Sequence, residues 1–503
     1  MDAGGHQTDA DLLIVGGGIN GAGIARDAAG RGLRVVLVEQ GDLARATSSA
    51  SSKLVHGGLR YLEQGEFRLV AESLREREVL LRAAPHIVRP LRFVLPQAPG
   101  QRPAWVIRLG LFAYDWLARR QTLPGATRVS LAVPPYRSGL KARYTRGFAY
   151  SDCWVDDARL TIANARAAHE AGARIMPRTR FDSAVRHKDH WRARLLGETG
   201  EMEIAVRALV NAAGCWVDGV LALTNTRPRR TRLRLVQGSH LVVPRLYEGE
   251  HAFILQNDDR RVIFAYPYEG HTLIGTTDVE ISGDPESCRI QPQETEYLCR
   301  AVNRYFEREV RAADVLWSFS GLRALVDDGA ATASRVTRDY LLDLDMEPAG
   351  PPLLTVYGGK ITTYRKLAER ALEKLAPCFP ELGPPWTATA PLPGGDLPHA
   401  GVEAYLRDLR TRYADLPGEM LSTLVRRHGT CTPAVLGSAH RVEDLGEHFG
   451  AQLYALEVDY FRRQEWARDA DDVLWRRTKA GLHLSPQQQA RVGAYLERAS
   501  RGT

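Results

Sequence analysis

The feature that most constrains this chain lies near its start. Asp11 to Val15 (DLLIV) is a short apolar run, Gly16-Gly17-Gly18-Ile19-Asn20-Gly21 follows, Ala22 to Arg31 is Ala-rich, and Leu33 to Glu39 (LRVVLVE) is a second apolar run closed by an acid. That order reads as strand, glycine turn, helix and strand. Gly16, Gly18 and Gly21 fit G-x-G-x-x-G. The first glycine permits the tight turn, the second lets backbone N–H groups reach a pyrophosphate, and the third seats the helix close on the sheet. N–H groups at the helix start then stabilise the phosphate charge. Glu39 falls where a carboxylate can accept hydrogen bonds from a ribose 2′-hydroxyl, which argues against a 2′-phosphate and hence against NADP. The motif alone does not separate NAD from FAD; its place at the head of a chain of 503 residues leans towards FAD.

The rest of the composition excludes several classes. Hydrophobic residues are 44% and charged residues 25%, ordinary values for a globular protein and wrong for a disordered, collagen-like or polytopic membrane chain. The length predicts several domains. The formal net charge of +7 is compatible with nucleic acid, an anionic membrane or an anionic substrate and selects none of them. Six cysteines (Cys153, Cys215, Cys288, Cys299, Cys378, Cys431) form no CxxC pair, so no zinc ribbon is expected, no metal site is expected, and a reducing compartment is. The first residues carry no apolar core of a signal peptide, and no run of about 20 apolar residues predicts a spanning helix.

Further along, 67–84 reads as a helix. Segment 101–146 holds nine Arg or Lys against the single acid Asp115, so the excess charge is local. Asp156 to Gly172 reads as a helix capped by Asp156 or Asp157. Residues 204–211 read as a buried strand, and 239–280 alternate in the manner of an antiparallel sheet with His240 opening one of its strands. Arg323 is expected at a strand end. Leu353 to Val356 predicts a strand entering Gly358-Gly359-Lys360-Ile361-Thr362-Thr363 and a helix that Lys360 and Thr362 open. Residues 377–398 contain seven prolines and read as a linker, and 399–503 as a separate helical domain.

Several motifs of different type then occur in one collinear order. Thr47 to Glu63 (TSSASSKLVHGGLRYLE), Tyr150 to Arg159 (YSDCWVDDAR), Gln237 to His240 (QGSH), Ile274 to Asp278 (IGTTD), Ser320 to Arg323 (SGLR), Gly358 to Lys366 (GGKITTYRK) and Ala470 to Thr478 (ADDVLWRRT) resemble those of the FAD-dependent glycerol-3-phosphate dehydrogenases, most of all the aerobic, quinone-linked bacterial branch. The resemblance covers essentially the whole chain. Two positions depart from it: Ala324 and Cys215 stand where the family usually has Pro. The cluster Arg227, Arg229, Arg230, Arg232 and Arg234 is also unlike the family.

The resemblance implies an α/β plus α architecture: an FAD-binding Rossmann-like domain of the D-amino-acid-oxidase-like type, an antiparallel-sheet substrate domain and an all-helical C-terminal cap. The division it suggests is 1–85, 147–235 and 321–376 for the FAD-binding domain, 86–146 for a basic amphipathic membrane-facing insertion, 236–320 for the substrate domain, 377–398 for the linker and 399–503 for the cap. It implies oxidation of sn-glycerol 3-phosphate to dihydroxyacetone phosphate, with electrons passed through FAD to membrane quinone. An oxidase delivering electrons to oxygen is the alternative. A nucleic-acid module finds no supporting motif, so no nucleic-acid partner is expected.

That chemistry needs a base for the hydroxyl proton and cations for a phosphate of about −1.5 to −2 charge. His56 and His240 are the two candidate bases, with Arg323 as an electrostatic partner. Arg323, Arg60, Tyr61, Lys360 and Thr362 are the candidate phosphate contacts, Arg being favoured for its bidentate fork. Gly16, Gly18, Gly21, Glu39, Ser48, Ser49, Ser51, Ser52, Gly359, Lys360 and Thr363 are the candidate FAD contacts. Trp105 to Arg120, aromatic and flanked by Arg, suits a helix lying on an anionic membrane surface. The expected location is cytoplasmic, peripheral on the inner face of the cell membrane, and a homodimer is compatible with the resemblance.

Overall fold

The computed structural model describes residues 8–97, 102–117, 122–226, 231, 233–259, 261–327, 339–346, 350–398 and 401–501, without the side chains of Arg60, Glu63 and Gln64. Arg119, Arg120, Arg227, Arg229, Arg230 and Arg232 therefore lie outside the described residues, as does the Arg60 side chain.

The apolar run at the start forms the strand Ala10–Val15, every residue of which is buried. It lies between Val35–Glu39 and Gly200–Asn211, and all three are parallel. Arg174–Pro177 and Leu353–Tyr357 extend the parallel set on either side. Near-continuous apolar strands need cover on both faces. Leu12 and Ile14 pack with the helices Ile19–Gly30, Asp157–Glu170 and Tyr364–Leu375, while Leu13 and Val15 pack with Phe181, Trp191 and Leu195 of the hairpin Arg180–Arg186 and Trp191–Gly197. The carboxyl ends Val15, Glu39, Asn211 and Tyr357 thus open on one edge, where ligands of such sheets bind.

A second sheet holds ten strands among the described residues. Leu233–Val243 pairs antiparallel with His271–Gly275, Val279–Ile281 and Trp317–Val326. The sheet continues through Val262–Tyr268, Ala252–Gln256, Val88–Pro96, Arg146–Val155 and Leu54–Val55. This sheet crosses the division expected from sequence. Val88–Pro96 falls in the expected membrane-facing insertion, and Leu54–Val55, Arg146–Val155 and residues 233–235 and 321–326 fall in the expected FAD-binding domain, yet all lie in strands of this second sheet. Alternation within Val88–Pro96 does not reveal partners such as Tyr150 and Ala252, both in register with Phe93. Two local expectations also change. His240 lies within its strand rather than opening it, and Arg323 lies within Trp317–Val326 rather than at its end.

The Pro-rich segment is a packed strap, not a free tether. The Trp386 ring covers Gly30 and stacks under the Arg26 guanidinium, and the Leu392 N–H bonds the Ala83 carbonyl at 2.8 Å. The cap that follows is helical apart from the small ribbon His448–Gly450 and Leu453–Tyr454. It docks through buried ion pairs. Arg477, fully buried, donates to both carboxylate oxygens of Asp42, and Arg159 pairs with Glu465. Trp475 stacks on Trp317 of the second sheet at 4.6 Å. The cap therefore touches both lobes.

Candidate active site

The nucleotide turn is built by close approaches. A Cβ at Gly21 would stand 1.9 Å from the Gly16 carbonyl oxygen, and one at Gly16, whose φ is +117°, would stand 2.5 Å from that of Ala212. Helix Ile19–Gly30 begins directly after Gly18, as the motif predicts. Ser48 Oγ accepts the Ile19 N–H at 2.9 Å, which brings the 47–53 loop onto that helix start. Glu39 accepts the N–H of Gly17 and of Gly41, each at 2.8 Å. Burial pushes its carboxyl above the usual range, while those two N–H groups oppose the shift. Each oxygen keeps a lone pair for a ribose hydroxyl.

The other end of the crevice is the Gly358–Gly359 turn, where both glycines have positive φ. Asn20, inside the glycine motif, donates through Nδ2 to the Gly358 carbonyl at 3.0 Å and so ties the two turns together. Asn20 Oδ1 and Thr363 Oγ1 are buried here without a hydrogen-bond partner. Buried orphan atoms are rare in native proteins and mark room for a polar ligand. Together with the glycine cradle and the ribose-facing carboxylate, they fit FAD. Helix Tyr364–Leu375 starts later than expected, with Thr363 as its N-cap, so Lys360 and Thr362 precede the helix.

The 47–53 loop is held from behind. Ser51 donates to Asp157 Oδ2 through both N–H and Oγ, and Lys53, fully buried, donates to Asp157 Oδ1 at 2.7 Å and to the Ser49 carbonyl at 2.8 Å. Ser51 is thus engaged with Asp157, and Ser49 Oγ returns to the Ala46 carbonyl. Ser48 touches the helix start and Ser52 touches His240, while the hydroxyls of Ser49 and Ser51 bond Ala46 and Asp157. Lys53 and Asp157 stand in two of the motifs quoted above, yet nothing local in either announces the pairing. Removing one partner of such a buried pair leaves an uncompensated charge that costs about 3–5 kcal/mol.

Two of the candidate substrate residues, Arg323 and His240, share one face of the second sheet. Side chains alternate along a strand. On Leu233–Val243, Gly238 and His240 therefore share a face with Phe319, Gly321 and Arg323 of its partner, because His240 is in register with Phe319, Gly238 with Gly321 and Val236 with Arg323. Arg323 lies across Gly238, where a Cβ would meet its Nη2 at 2.4 Å. It pairs with Asp278 and donates to Thr276 Oγ1 at 3.1 Å. The 47–53 loop covers the same face: a Cβ at Gly321 would meet the Ala50 carbonyl oxygen at 2.7 Å, and Ser52 Oγ shares a 2.9 Å hydrogen bond with His240 Nε2. His240 stacks on Phe319 at 4.8 Å. Burial first, then Arg323 and Lys53, hold its pKa well below the usual value, so the imidazole is neutral.

A second wall carries the remaining candidates. His56 stands edge-on to Phe264, itself in register with Gly275, whose other neighbour is His240. The His56 N–H approaches Thr362 Oγ1 at 3.4 Å, and Lys360 Nζ sits 3.8 Å above the Tyr61 ring. The His56–Gly58 loop is anchored by a relay absent from the sequence reading: Arg77 donates to Asp152, Tyr114 donates to Asp152 at 2.6 Å, and the Gly57 N–H donates to Tyr114 at 2.8 Å. Cys215, where the family usually has Pro, donates from Sγ to the Leu322 carbonyl at 3.5 Å, and burial pushes its thiol up to about 12. Arg234, from the unexpected cluster, pairs with Glu280. Among the described residues no group of His, Cys, Asp and Glu could hold a metal ion.

Comparison with known proteins agrees with this geometry. Residues 11–365 match the family model of FAD-dependent oxidoreductases, and residues 385–495 that of the C-terminal domain of alpha-glycerophosphate oxidase. The chain is 55% identical over 489 residues to a glycerol-3-phosphate dehydrogenase of Pseudomonas aeruginosa, covering 97% of this chain and 95% of that protein. It is 50% identical to a D-erythritol 1-phosphate dehydrogenase of Brucella abortus, covering 97% and 98%. It is 48% identical to the aerobic glycerol-3-phosphate dehydrogenase of Escherichia coli, covering 97% of each. A crystal structure of the glycerol-3-phosphate dehydrogenase from Bacillus halodurans complexed with FAD superposes with a TM-score of 0.74 at 27% identity, covering 97% of this chain and 94% of that one.

Proposed function

Starting from the fact that the chain belongs to the family of FAD-dependent oxidoreductases that contains the bacterial glycerol-3-phosphate dehydrogenases, we propose that it oxidises the C2 carbinol of sn-glycerol 3-phosphate to dihydroxyacetone phosphate and passes the electrons to membrane quinone. The observation that carries this reading is the single sheet face on which Arg323 and His240 flank Gly238 and Gly321 beneath the 47–53 loop. Bound FAD supplies the hydride acceptor. The chain's own residues do the rest. Gly16, Gly18, Gly21, Glu39 and Ser48 hold the dinucleotide, and Gly359 and Thr363 border its other end. Arg323, Lys360, Thr362, Tyr61 and Arg60 grip the phosphate and fix the carbinol's distance and aim. The proton goes to neutral His240, whose low affinity for it rises once the anionic substrate lies beside it. Arg323 steadies charge developing on the carbinol oxygen.

Anaerobic addition of glycerol 3-phosphate to the purified protein should bleach the oxidised flavin band, and quinone should restore it. Absence of bleaching would refute the assignment, and peroxide formed in air without need of quinone would favour the oxidase. D-erythritol 1-phosphate in a parallel arm tests the substrate. His240→Asn is expected to slow bleaching far more than His56→Asn; the reverse order would move the base to His56.

A surface supports the quinone reading. Helix Ala104–Trp116 buries Ile107, Leu111 and Tyr114 and exposes Trp105, Leu109, Phe112 and Trp116, each at 61–82%. Those four recur at i, i+4, i+7 and i+11, a single stripe. No helix among the described residues is long and apolar enough to cross a membrane. A stripe of this kind with Arg108 beside it suits a helix lying in an interface, peripheral on the inner face of the cell membrane. Its buried Tyr114 anchors the His56–Gly58 loop and so links this helix to the site's second wall. Full burial of such side chains contributes ~1.5–3 kcal/mol each. Trp105, Phe112 and Trp116 replaced by Ser should weaken pelleting with anionic vesicles about a thousandfold or more by that arithmetic, with glycerol 3-phosphate bleaching intact. Unchanged pelleting would discard this helix as the contact.

A further inference from the structure

The reverse side of the substrate face carries a second organised cluster. Gln237 and Ser239 alternate with Gly238 and His240 and so point to the opposite face of the same strand. There they meet Glu294, 5% exposed, from the helix Pro292–Asn303. Ser239 Oγ donates to Glu294 Oε1 at 2.8 Å and Thr277 Oγ1 donates to the same oxygen at 2.5 Å. Gln237 Nε2 donates to Oε2 at 2.7 Å, as does the Gln291 N–H at 2.9 Å. Four donors fill the four lone-pair directions of the carboxylate. The network continues outward. Ser239 Oγ shares a 2.8 Å bond with Ser320 Oγ, and the Ser239 N–H donates to Thr277 Oγ1 at 2.9 Å. The sequence motifs QGSH and IGTTD thus meet at one residue that belongs to neither, and SGLR joins them through Ser239.

Resting on the dehydrogenase reading above, we propose that Glu294 is a positioning residue for substrate oxidation, holding strands Leu233–Val243 and Trp317–Val326 and the Thr276–Asp278 turn in the one arrangement that presents His240 and Arg323 to the carbinol. The route is short. Thr277 is flanked by Thr276 and Asp278, the two residues that hold Arg323, and Ser239 is followed by His240. A carboxylate only accepts, so it sets the direction of each hydrogen bond: Ser239 and Thr277 point their protons inward, and Ser320 donates to Ser239. An apolar core would hold the same elements together with less desolvation and without fixing their register. Glu294 sits at the third position of its helix, where the N-terminal dipole favours a negative group.

Glu294→Gln keeps the volume and inserts one donor where only acceptors fit. In the holoenzyme, kcat per bound FAD with glycerol 3-phosphate should fall tenfold, with FAD content and melting temperature close to wild type. Thr277→Val should lower the same rate threefold or more, and the double variant should fall little below the worse single one, because both act through one node. A loss under threefold in Glu294→Gln, or lost flavin with the per-flavin rate intact, overturns the proposal. Should Glu294→Gln fail to accumulate, Thr277→Val and Ser239→Ala decide by the same threefold criterion. Wild-type protein that is not bleached by glycerol 3-phosphate would sink the functional reading instead, which keeps the two failures distinct.

Discussion

Gly21→Ala should yield a colourless protein with no measurable dehydrogenase activity. The added Cβ would lie 1.9 Å from the Gly16 carbonyl oxygen and 3.4 Å from Ile14 Cγ2. The first contact is with backbone, which cannot swing aside as a side-chain end would. Relief requires the helix Ile19–Gly30 to lift off the strand Ala10–Val15 or the turn to open, and either movement withdraws the N–H groups from the diphosphate. Overpacking of this kind costs about 1–3 kcal/mol in a yielding core, and more against backbone. The flavin-to-protein absorbance ratio of the purified variant is the measurement, with Gly219→Ala as its control. Gly219 lies in the helix Val217–Ala222, where an added Cβ meets nothing within 4 Å, so that variant should keep its colour. A Gly21→Ala protein that stays yellow would mean that the turn accommodates a methyl group and that the dinucleotide is bound elsewhere.

Arg323→Met should lower kcat/KM for glycerol 3-phosphate about a thousandfold and leave FAD in place. A unit charge pair at ~4 Å contributes roughly 4 kcal/mol at an effective dielectric of 20, which is three decades of rate. Two further effects act in the same direction. Asp278 loses its ion pair with Arg323, which leaves more negative charge beside a bound phosphate, and the space over Gly238 loses the group that fills it. Arg323→Lys restores charge without the fork and should recover one to two of roughly three decades. Steady-state kcat and KM, with flavin content measured alongside, separate lost substrate grip from lost cofactor. A loss below tenfold with FAD retained would remove Arg323 from the phosphate and carbinol roles.

The two predictions differ in how early they could have been made. Gly21 is legible because its constraint is local: strand, turn and helix are contiguous in sequence, and one missing Cβ decides whether they close. Arg323 was legible as a candidate but not as a mid-strand residue crossing Gly238, because strand ends blur where polar and apolar residues are mixed. Ser51 shows a pairing with no local signal. It is a candidate FAD contact in a serine-rich loop, and Asp157, 106 positions away in sequence, accepts from both its hydroxyl and its N–H.

The amino-acid order by itself determined the nucleotide-binding unit and a cap at Asp156 or Asp157, which rest on neighbours within a turn or two of helix, where periodicity and capping chemistry act directly. The flavin-linked oxidation of a phosphorylated alcohol was implied by the resemblance of the collinear motifs to a known family. Only the tertiary structure decided that Val88–Pro96 and Arg146–Val155 join the second sheet, that Tyr114 and Asp152 brace the His56 loop, that the stripe from Trp105 to Trp116 faces outward, and that Glu294 ties two motifs together behind the site with a third attached through Ser239. Each of these depends on which face of a strand or helix meets which distant partner. A hydrogen bond or an ion pair formed across 50 to 400 residues leaves no period in the chain, and its partners are chosen by the packing of whole layers.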